Sequence, residues 1–224
     1  MTSQAFWSLE TPAGLRLAEQ APDTKYERII CLADPGHQRA GKRLGSLSVI
    51  LDPLGVRDFT WTWFSDILIS PKVLDLFKKY RVTGFEAARA KTAYPKGINA
   101  RPPDLFELVV TGWGGWVAPA AGVSLARSCP TCGDKNYVIA EPGRLIDRAA
   151  WDGSDLFIVW PLPGYKFASN RLASILRKEK ISGVQLIPAP KIPVKRGATL
   201  GPASITYCMP DDRARDLGQR FGIS

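Results

Sequence analysis

Residues 70–80 read Ser-Pro-Lys-Val-Leu-Asp-Leu-Phe-Lys-Lys-Tyr, which contains both the start and the end signals of a short helix. Ser70 is a favourable N-cap, and Pro71 suits the first helical position, where a backbone N–H would have no partner. The apolar residues that follow recur at helical spacing. We expect this helix to end before Gly84 and the chain to return as a strand at Phe85.

The same pattern returns 99 residues later. Ser169 stands where Ser70 stands, and Ile181-Ser-Gly-Val184 stands where Val82-Thr-Gly-Phe85 stands. Each copy predicts a strand, a Ser-capped amphipathic helix with a basic last turn, a glycine turn and a second strand. Two copies are too few for a solenoid, so we predict an α+β fold with a mixed sheet and two similar β-α-β units. Chance similarity between two amphipathic helices is the alternative.

Length and composition are those of one folded domain. The chain has 224 residues, of which 45% are hydrophobic and 23% charged, the ordinary range for a globular protein. We predict a single domain over residues 1–224. Its parts are an N-terminal extension (1–25), the first β-α-β unit (26–100), a hairpin with a cysteine pair (101–150), and the second β-α-β unit with a C-terminal helix (151–224).

Further elements follow from alternation, turn residues and proline content. Residues 187–202 are rich in proline, which predicts an irregular segment, and the tail from Asp211 to Phe221 predicts a helix. Strands are predicted at Tyr26–Leu32, Leu47–Leu51, Phe59–Phe64, Leu105–Val110, Val123–Arg127, Tyr137–Ala140, Asp155–Trp160 and Ser204–Met209.

The clearest chemical motif is Ser128-Cys-Pro-Thr-Cys-Gly133, at the tip of a predicted β-hairpin. Two cysteines separated by two residues can place both thiolates on one metal ion, each about 2.3 Å from zinc. Gly133 permits the positive φ of a tight turn. This arrangement is half of a zinc-ribbon-type site and predicts a zinc knuckle on the hairpin.

A structural zinc site needs two more ligands, which Cys31 and the single histidine, His37, supply. The predicted set is Cys31, His37, Cys129 and Cys132. Cys208 is the rival fourth ligand or a plain buried thiol. Two alternatives stay open. One is a redox-active Cys-Pro-x-Cys pair, although no helix follows it to activate the first thiol. The other is a vestigial site with free thiols.

The sequence does not predict an enzyme. With one histidine, a Ser-His-Asp arrangement would require His37, and no Gly-x-Ser-x-Gly motif occurs. Residues 36–42 come close to a phosphate-binding loop, but Arg43 occupies the position that needs a hydroxyl. A carboxylate pair that is distant in sequence stays open, because sequence alone does not reveal it.

The net charge of +9 favours negatively charged partners, such as nucleic acid, acidic proteins or anionic lipid. The basic clusters coincide with predicted helices, where a solvated face is the simpler interpretation, and they lack the interleaved aromatics of a single-strand binding surface. Nucleic acid is therefore an open partner that is not favoured. The clusters are Lys78, Lys79 and Arg81; Arg171, Arg177, Lys178 and Lys180; and Lys191, Lys195 and Arg196.

Two tryptophans are candidate partner-contact residues. Trp113 and Trp116 lie in a glycine-rich segment, Gly112-Trp-Gly-Gly-Trp116, where burial is not assured. Exposed tryptophan near arginine is typical of binding hot spots. No apolar run reaches the roughly 18 residues that span a bilayer, and no secretory signal begins the chain, so we expect a cytoplasmic protein without a membrane partner.

Three blocks resemble one known family: Ser128–Gly133, Asp155-Leu-Phe-Ile-Val-Trp160 and Phe167-Ala-Ser-Asn-Arg-Leu172. They are similar to the double-CXXCG motif proteins, a paralogous family of myxobacteria, and the resemblance covers residues 26–223. The second motif of the family is intact here at Cys129–Gly133. In the first, Cys31 is kept, but Asp34 stands at the position of the second cysteine.

Some members of that family are immunity proteins of a contact-dependent swarming-inhibition system. The resemblance implies an immunity protein that neutralises a cognate, contact-delivered toxin by direct binding, with the toxin encoded by a neighbouring gene. The alternative hypothesis is a zinc-ribbon-like nucleic-acid-binding protein, which would bind DNA or RNA in a salt-dependent way.

Overall fold

The structure, a computed structural model, describes residues 5–37, 39–193, 199–202 and 204–223 and confirms the predicted α+β class. The helices are α1 Pro71–Lys79, α2 Asn170–Lys178 and α3 Asp211–Phe221. The strands are β1 Phe6–Glu10, β2 Glu19–Gln20, β3 Lys25–Ile29, β4 Arg39–Leu44, β5 Ser48–Ile50, β6 Phe59–Trp61, β7 Ile67–Ile69, β8 Phe85–Arg89, β9 Lys91–Ala93, β10 Phe106–Val110, β11 Trp113–Trp116, β12 Val123–Ser128, β13 Lys135–Ile139, β14 Leu156–Trp160, β15 Lys166–Ser169, β16 Gln185–Pro188 and β17 Thr199–Gly201.

Both predicted Ser-capped helices form. The Ser70 side chain accepts a hydrogen bond from the backbone N–H of Val73, and Ser169 accepts one from Leu172. Each cap satisfies an N–H that the helix itself leaves without a partner. Within the described part of the chain, no helix has the length and apolar character needed to cross a membrane.

The first helix lies against a four-stranded sheet with the order β6-β7-β10-β8. β7 precedes α1 and β8 follows it, but the two strands are not neighbours. β10 lies between them and pairs antiparallel with both. The first half of the chain is therefore a β-α-β connection split by an inserted antiparallel strand.

The second half repeats this plan with a different source for the inserted strand. Its sheet has the order β11-β14-β15-β1-β16, so β1 lies between the two strands that flank α2. β1 pairs antiparallel with β15 and β16. Residues 6–10, assigned from sequence to an N-terminal extension, therefore complete the second sheet.

The two halves share one hydrophobic core. The largest buried cluster combines Phe59 and Phe77 from the first half with Leu156 and Leu172 from the second, and Leu217 of α3 packs into it. This cluster joins the two halves. Beside it, the glycine turn that follows each helix lies close to a strand of the other half: Gly84 to Leu156 and Gly183 to Phe59.

Two sequence predictions need correction. The strand predicted over Phe59–Phe64 ends at Trp61, because Asp66 hydrogen-bonds Thr62 and turns the chain; Trp63 and Phe64 are exposed in that turn. The strand predicted over Ser204–Met209 is instead a 3-10 helix, Ile205–Tyr207, because the Ser204 side chain accepts from the backbone N–H of Thr206.

Candidate metal centre

The cysteine pair lies at the tip of the hairpin formed by β12 and β13, as predicted. The N–H of Cys129 donates to the carbonyl of Asp134 (2.7 Å), and the N–H of Gly133 donates to the carbonyl of Cys129 (2.9 Å). Gly133 has φ 68°, so glycine suits this turn. The N–H groups of Cys132 and Thr131 donate to the Cys129 thiol and lower its pKa to about 7, against the effect of burial.

A second turn, just after β3, repeats the backbone arrangement of the first. The thiol of Cys31 accepts hydrogen bonds from the N–H groups two and three residues further along, those of Ala33 and Asp34. The thiol of Cys129 accepts them in the same way from Thr131 and Cys132. Burial nevertheless raises the pKa of Cys31. The turn at Cys31 thus has the backbone hydrogen bonds of the turn at Cys129, with Asp34 at the position that corresponds to Cys132.

His37 supplies the fourth potential ligand atom of the cluster. It is the last residue of the 3-10 helix Pro35–His37, and its imidazole faces the tip of the β12–β13 hairpin. Its side chain is only 10% exposed. Nε2 lies 3.2 Å from a carboxylate oxygen of Asp34, while Nδ1 faces Cys132. Asp34, at the position that corresponds to Cys132 in the other turn, therefore contacts His37.

The four predicted ligands converge. Cys31 Sγ lies 3.7 Å from Cys129 Sγ, and Cys132 Sγ lies 3.9 Å from His37 Nδ1. All four ligand atoms lie within 4.8 Å of one another. Tetrahedral zinc holds two sulfurs about 3.8 Å apart, given Zn–S bonds of about 2.3 Å. The arrangement therefore fits a tetrahedral zinc site with three sulfurs and one nitrogen.

Charged side chains surround the cluster. Arg39 donates to the carbonyl of Cys132 (3.0 Å), and its other terminal nitrogen lies 3.5 Å from the Cys132 sulfur. Burial opposes ionisation of Cys132, but hydrogen bonds from the Arg39 guanidinium, the backbone N–H of Asp134 and the Cys31 thiol together outweigh it, and the pKa of this thiol is lowered. Three thiolates around a dication leave one net negative charge, which Arg39 is placed to offset.

A buried carboxylate links this arginine to the second hairpin. Asp134 is 4% exposed and lies 3.4 Å from Arg39 and 3.1 Å from Arg127. Sequence reasoning did not identify Arg39 or Asp134. A charged residue beside a turn has no distinguishing sequence pattern, although Asp134 directly follows the cysteine motif.

Cys208, the rival ligand, lies elsewhere. Its side chain lines a cavity of about 620 Å³ together with Lys166, and the metal cluster does not include it. Burial raises the pKa of Cys208 to about 12, so this thiol is protonated at neutral pH. Of the two alternatives, the structure excludes Cys208 from the cluster, and the thiol is partly buried.

The two candidate contact tryptophans differ in exposure. Trp113 is 2% exposed and belongs to the core, where it packs against Phe221. Trp116 is 48% exposed. Their segment is strand β11, parallel to β14, rather than a glycine-rich loop. Burial removes Trp113 from the accessible surface and leaves Trp116 as the one of the pair that a partner can touch.

No protein-family model matches this chain, and no curated protein matches it.

Proposed function

We propose that this protein is a cytoplasmic immunity protein that neutralises a cognate, contact-delivered toxin by direct binding, and that a structural zinc ion holds its two cysteine turns together. Cys31, His37, Cys129 and Cys132 are the proposed ligands. The observation that carries this proposal is the convergence of their four ligand atoms from turns almost 100 residues apart in sequence.

The donor set favours zinc in a structural role. Four protein ligands complete a tetrahedron, whereas a catalytic zinc keeps one position for water or substrate. Thiolate ligands also disfavour magnesium and calcium, which prefer oxygen. Zinc would join the turn after β3 to the tip of the β12–β13 hairpin, which belong to two separate small sheets.

The cysteine turns also support the family resemblance. The turn at Cys31 has the backbone hydrogen bonds of the turn at Cys129, which is what two related CXXCG motifs would leave after one lost a cysteine. His37 restores the count of four ligand atoms. The immunity function itself is taken from that resemblance.

A binding role also suits the position of the single histidine. The single histidine lies in the cysteine cluster, and its neighbours there are thiols that would be committed to the metal. General acid–base chemistry would have to rest on groups other than histidine. In this proposal, the protein acts through the surface that contacts its partner.

The metal is tested by elemental analysis and thiol titration of the purified protein. We expect one zinc per chain. In mild denaturant only the Cys208 thiol should titrate, whereas all four thiols should titrate once a chelator removes the metal. Cys132→Ser should lose the zinc, whereas the matched variant Cys208→Ser should keep it. A metal-free protein whose four thiols titrate equally would contradict the proposal.

The immunity function is tested by co-expression with the product of the adjacent gene in a sensitive host. We expect growth to be rescued and the two proteins to co-purify. A toxic neighbour that this protein neither binds nor neutralises would refute the immunity proposal while leaving the zinc site intact.

The nucleic-acid alternative is supported by the net charge of +9. It predicts a mobility shift of DNA or RNA at low salt that disappears steeply as salt is raised. No shift at low salt would remove this alternative.

A further inference from the structure

The C-terminal ends of α1 and α2 meet at one place on the surface. The Tyr80 hydroxyl donates a hydrogen bond to the carboxylate of Glu179, over 2.7 Å. Arg171, at the start of α2, donates to the carbonyls of Tyr80 (2.9 Å) and Arg81 (3.2 Å). These bonds join the last turn of one helix to the other helix.

This contact brings the two basic helix ends together. Segments 72–81 and 171–180 contain eight basic and two acidic residues, which is six of the nine net positive charges of the chain. Six cations at the helix ends are exposed, and none has a carboxylate within 4 Å in the ion pairs found among the described residues. We define these as the basic face: Lys78, Lys79, Arg81, Arg177, Lys178 and Lys180.

Helix stability does not explain the whole basic face. Cations in the last turn complement the helix dipole. Arg81 and Lys180, however, lie beyond the helices and adopt left-handed backbone conformations, with φ 49° and 52°. Each N–H closes the turn by bonding a carbonyl of the last helical turn, at a position where glycine is usual because other residues are strained there.

Both copies therefore keep a strained cation where glycine would be more stable. Strain of this kind persists where another requirement maintains it, and binding is such a requirement. Arg81 and Lys180 occupy equivalent positions, so both copies of the repeat keep the same compromise.

An apolar pocket opens beside the basic face. It has a volume of about 290 Å³ and is lined by Leu176, Ile181, Val184 and Leu186, with Arg177 and Lys180 as its polar members. Arg177 is held in place by stacking 3.7 Å above the ring of Trp7. A buried apolar side chain surrounded by charged contacts is the usual form of a protein hot spot.

We propose that the basic face and this pocket bind an acidic protein segment that inserts one apolar side chain, and that this segment belongs to the toxin. The partner's identity as a toxin rests on the proposed function; the chemistry of the segment does not. A phosphate backbone has no apolar group that could fill this pocket.

The surface can be tested without knowing the toxin. The probe is a fluorescein-labelled peptide, Glu-Asp-Glu-Trp-Glu-Asp-Glu, titrated into the full-length protein and followed by anisotropy. Matched probes replace its tryptophan with serine or its acidic residues with glutamine, and a dT oligonucleotide of similar length serves as the nucleic-acid probe. We expect the first peptide to bind at least about tenfold more tightly than the other three.

Glycine substitutions separate binding from folding. Arg81→Gly and Lys180→Gly should each raise Tm, because they relieve backbone strain, and should together weaken binding of the acidic peptide by about tenfold. Ser65→Gly is the matched control: Ser65 also has a positive φ (66°) but is not part of the basic face, so this change should raise Tm and leave binding unaltered.

The outcomes distinguish the two proposals. If Arg81→Gly with Lys180→Gly binds the acidic peptide as tightly as the unaltered chain, or if the oligonucleotide binds most tightly, the basic face is not the proposed site. If the unaltered chain protects cells from the toxin and the double variant protects equally well, the site is again wrong while the immunity function stands. Failure of the unaltered chain to protect refutes the immunity function alone.

Discussion

Tyr80 and Glu179 are hydrogen-bonded to each other, although they are 99 residues apart, the spacing of the internal repeat. Each is the C-cap of its helix. Equivalent positions of the two helices are therefore in contact with each other.

A pair of aspartates shows the same correspondence between the two halves. Asp58 accepts hydrogen bonds from the N-cap Ser70 of its own half and from Ser182 of the other half. Asp155 accepts hydrogen bonds from the N-cap Ser169 of its own half and from the backbone N–H of Thr83 of the other half. Each carboxylate thus ties a helix start in one half to the glycine turn of the other.

Replacing Asp155 should destabilise the protein in a pH-dependent way. Burial alone would raise the pKa of Asp155, but hydrogen bonds from Arg171, Ser169 and Thr83 outweigh it, so the pKa lies below its ordinary value. The stabilisation is complete above the ordinary pKa of about 4 and is lost as the pH falls through the lower pKa of the folded state.

We therefore expect Asp155→Asn to reduce the free energy of unfolding by about 2 kcal/mol at neutral pH, measured by urea titration. The difference from the unaltered chain should shrink as the pH falls through the lowered pKa of the native carboxylate, because that group then also becomes protonated. Asp104→Asn, at an exposed pair with Arg89, is the control and should change stability by about 0.5 kcal/mol or less. A pH-independent loss would contradict the carboxylate's role.

The equivalent glycines Gly84 and Gly183 should not tolerate alanine. A Cβ at Gly84 would lie 2.0 Å from the carbonyl oxygen of Leu156, and one at Gly183 would lie 2.0 Å from that of Phe59. Both also have positive φ, 81° and 79°. The clash is with backbone that belongs to the shared core, so it has no easy relief.

Each alanine substitution should destabilise the protein by about 3 kcal/mol or more in thermal or urea unfolding. Gly153→Ala separates the two causes, because Gly153 has φ 88° but no atom within 4 Å of an added Cβ. It should lose only the roughly 1 kcal/mol due to φ. Similar losses at Gly84 and Gly153 would show that the close approach does not matter.

Asp34 gives a rescue test of the metal centre. His37→Ala should remove the fourth ligand and weaken zinc binding by orders of magnitude, since structural sites use four protein ligands. Adding Asp34→Cys to His37→Ala gives the turn at Cys31 a cysteine pair like that of Cys129 and Cys132, and should recover zinc binding. Competition with a chromophoric chelator measures both variants.

The control is Asp34→Ser combined with His37→Ala, which alters the same positions without supplying a thiolate. It should bind zinc no better than His37→Ala alone. If Asp34→Cys fails to improve on this control, the turn at Cys31 does not have the geometry of a cysteine knuckle.

Local patterns predicted the local structures correctly. The Ser-capped helices, the hairpin with Cys129 at its tip and the tail helix Asp211–Phe221 are each specified by neighbouring residues. The residues predicted as ligands, Cys31, His37, Cys129 and Cys132, do lie together, and the sequence pointed to them because it contains one other cysteine and no other histidine. That they bind zinc stays a prediction.

Long-range pairing was not predictable. Nothing in residues 6–10 indicates that this segment pairs with β15 and β16, more than 150 positions away, because its partners are chosen by the edge left open in the second sheet. The turn at Trp63 depends on Asp66, and the position of Cys208 depends on packing. Residues Lys195 and Arg196, part of a basic cluster in the sequence, lie outside the described residues.

The position of β1 also bears on how the chain is made. The ribosome synthesises β1 more than 150 residues before its two partner strands, so the second sheet stays open until β15 and β16 have been made. In the first half, β10 follows β8 closely and closes its sheet early. A rearranged gene that encodes β1 after β16 would give both halves the same order of synthesis and allow each to fold as it is made.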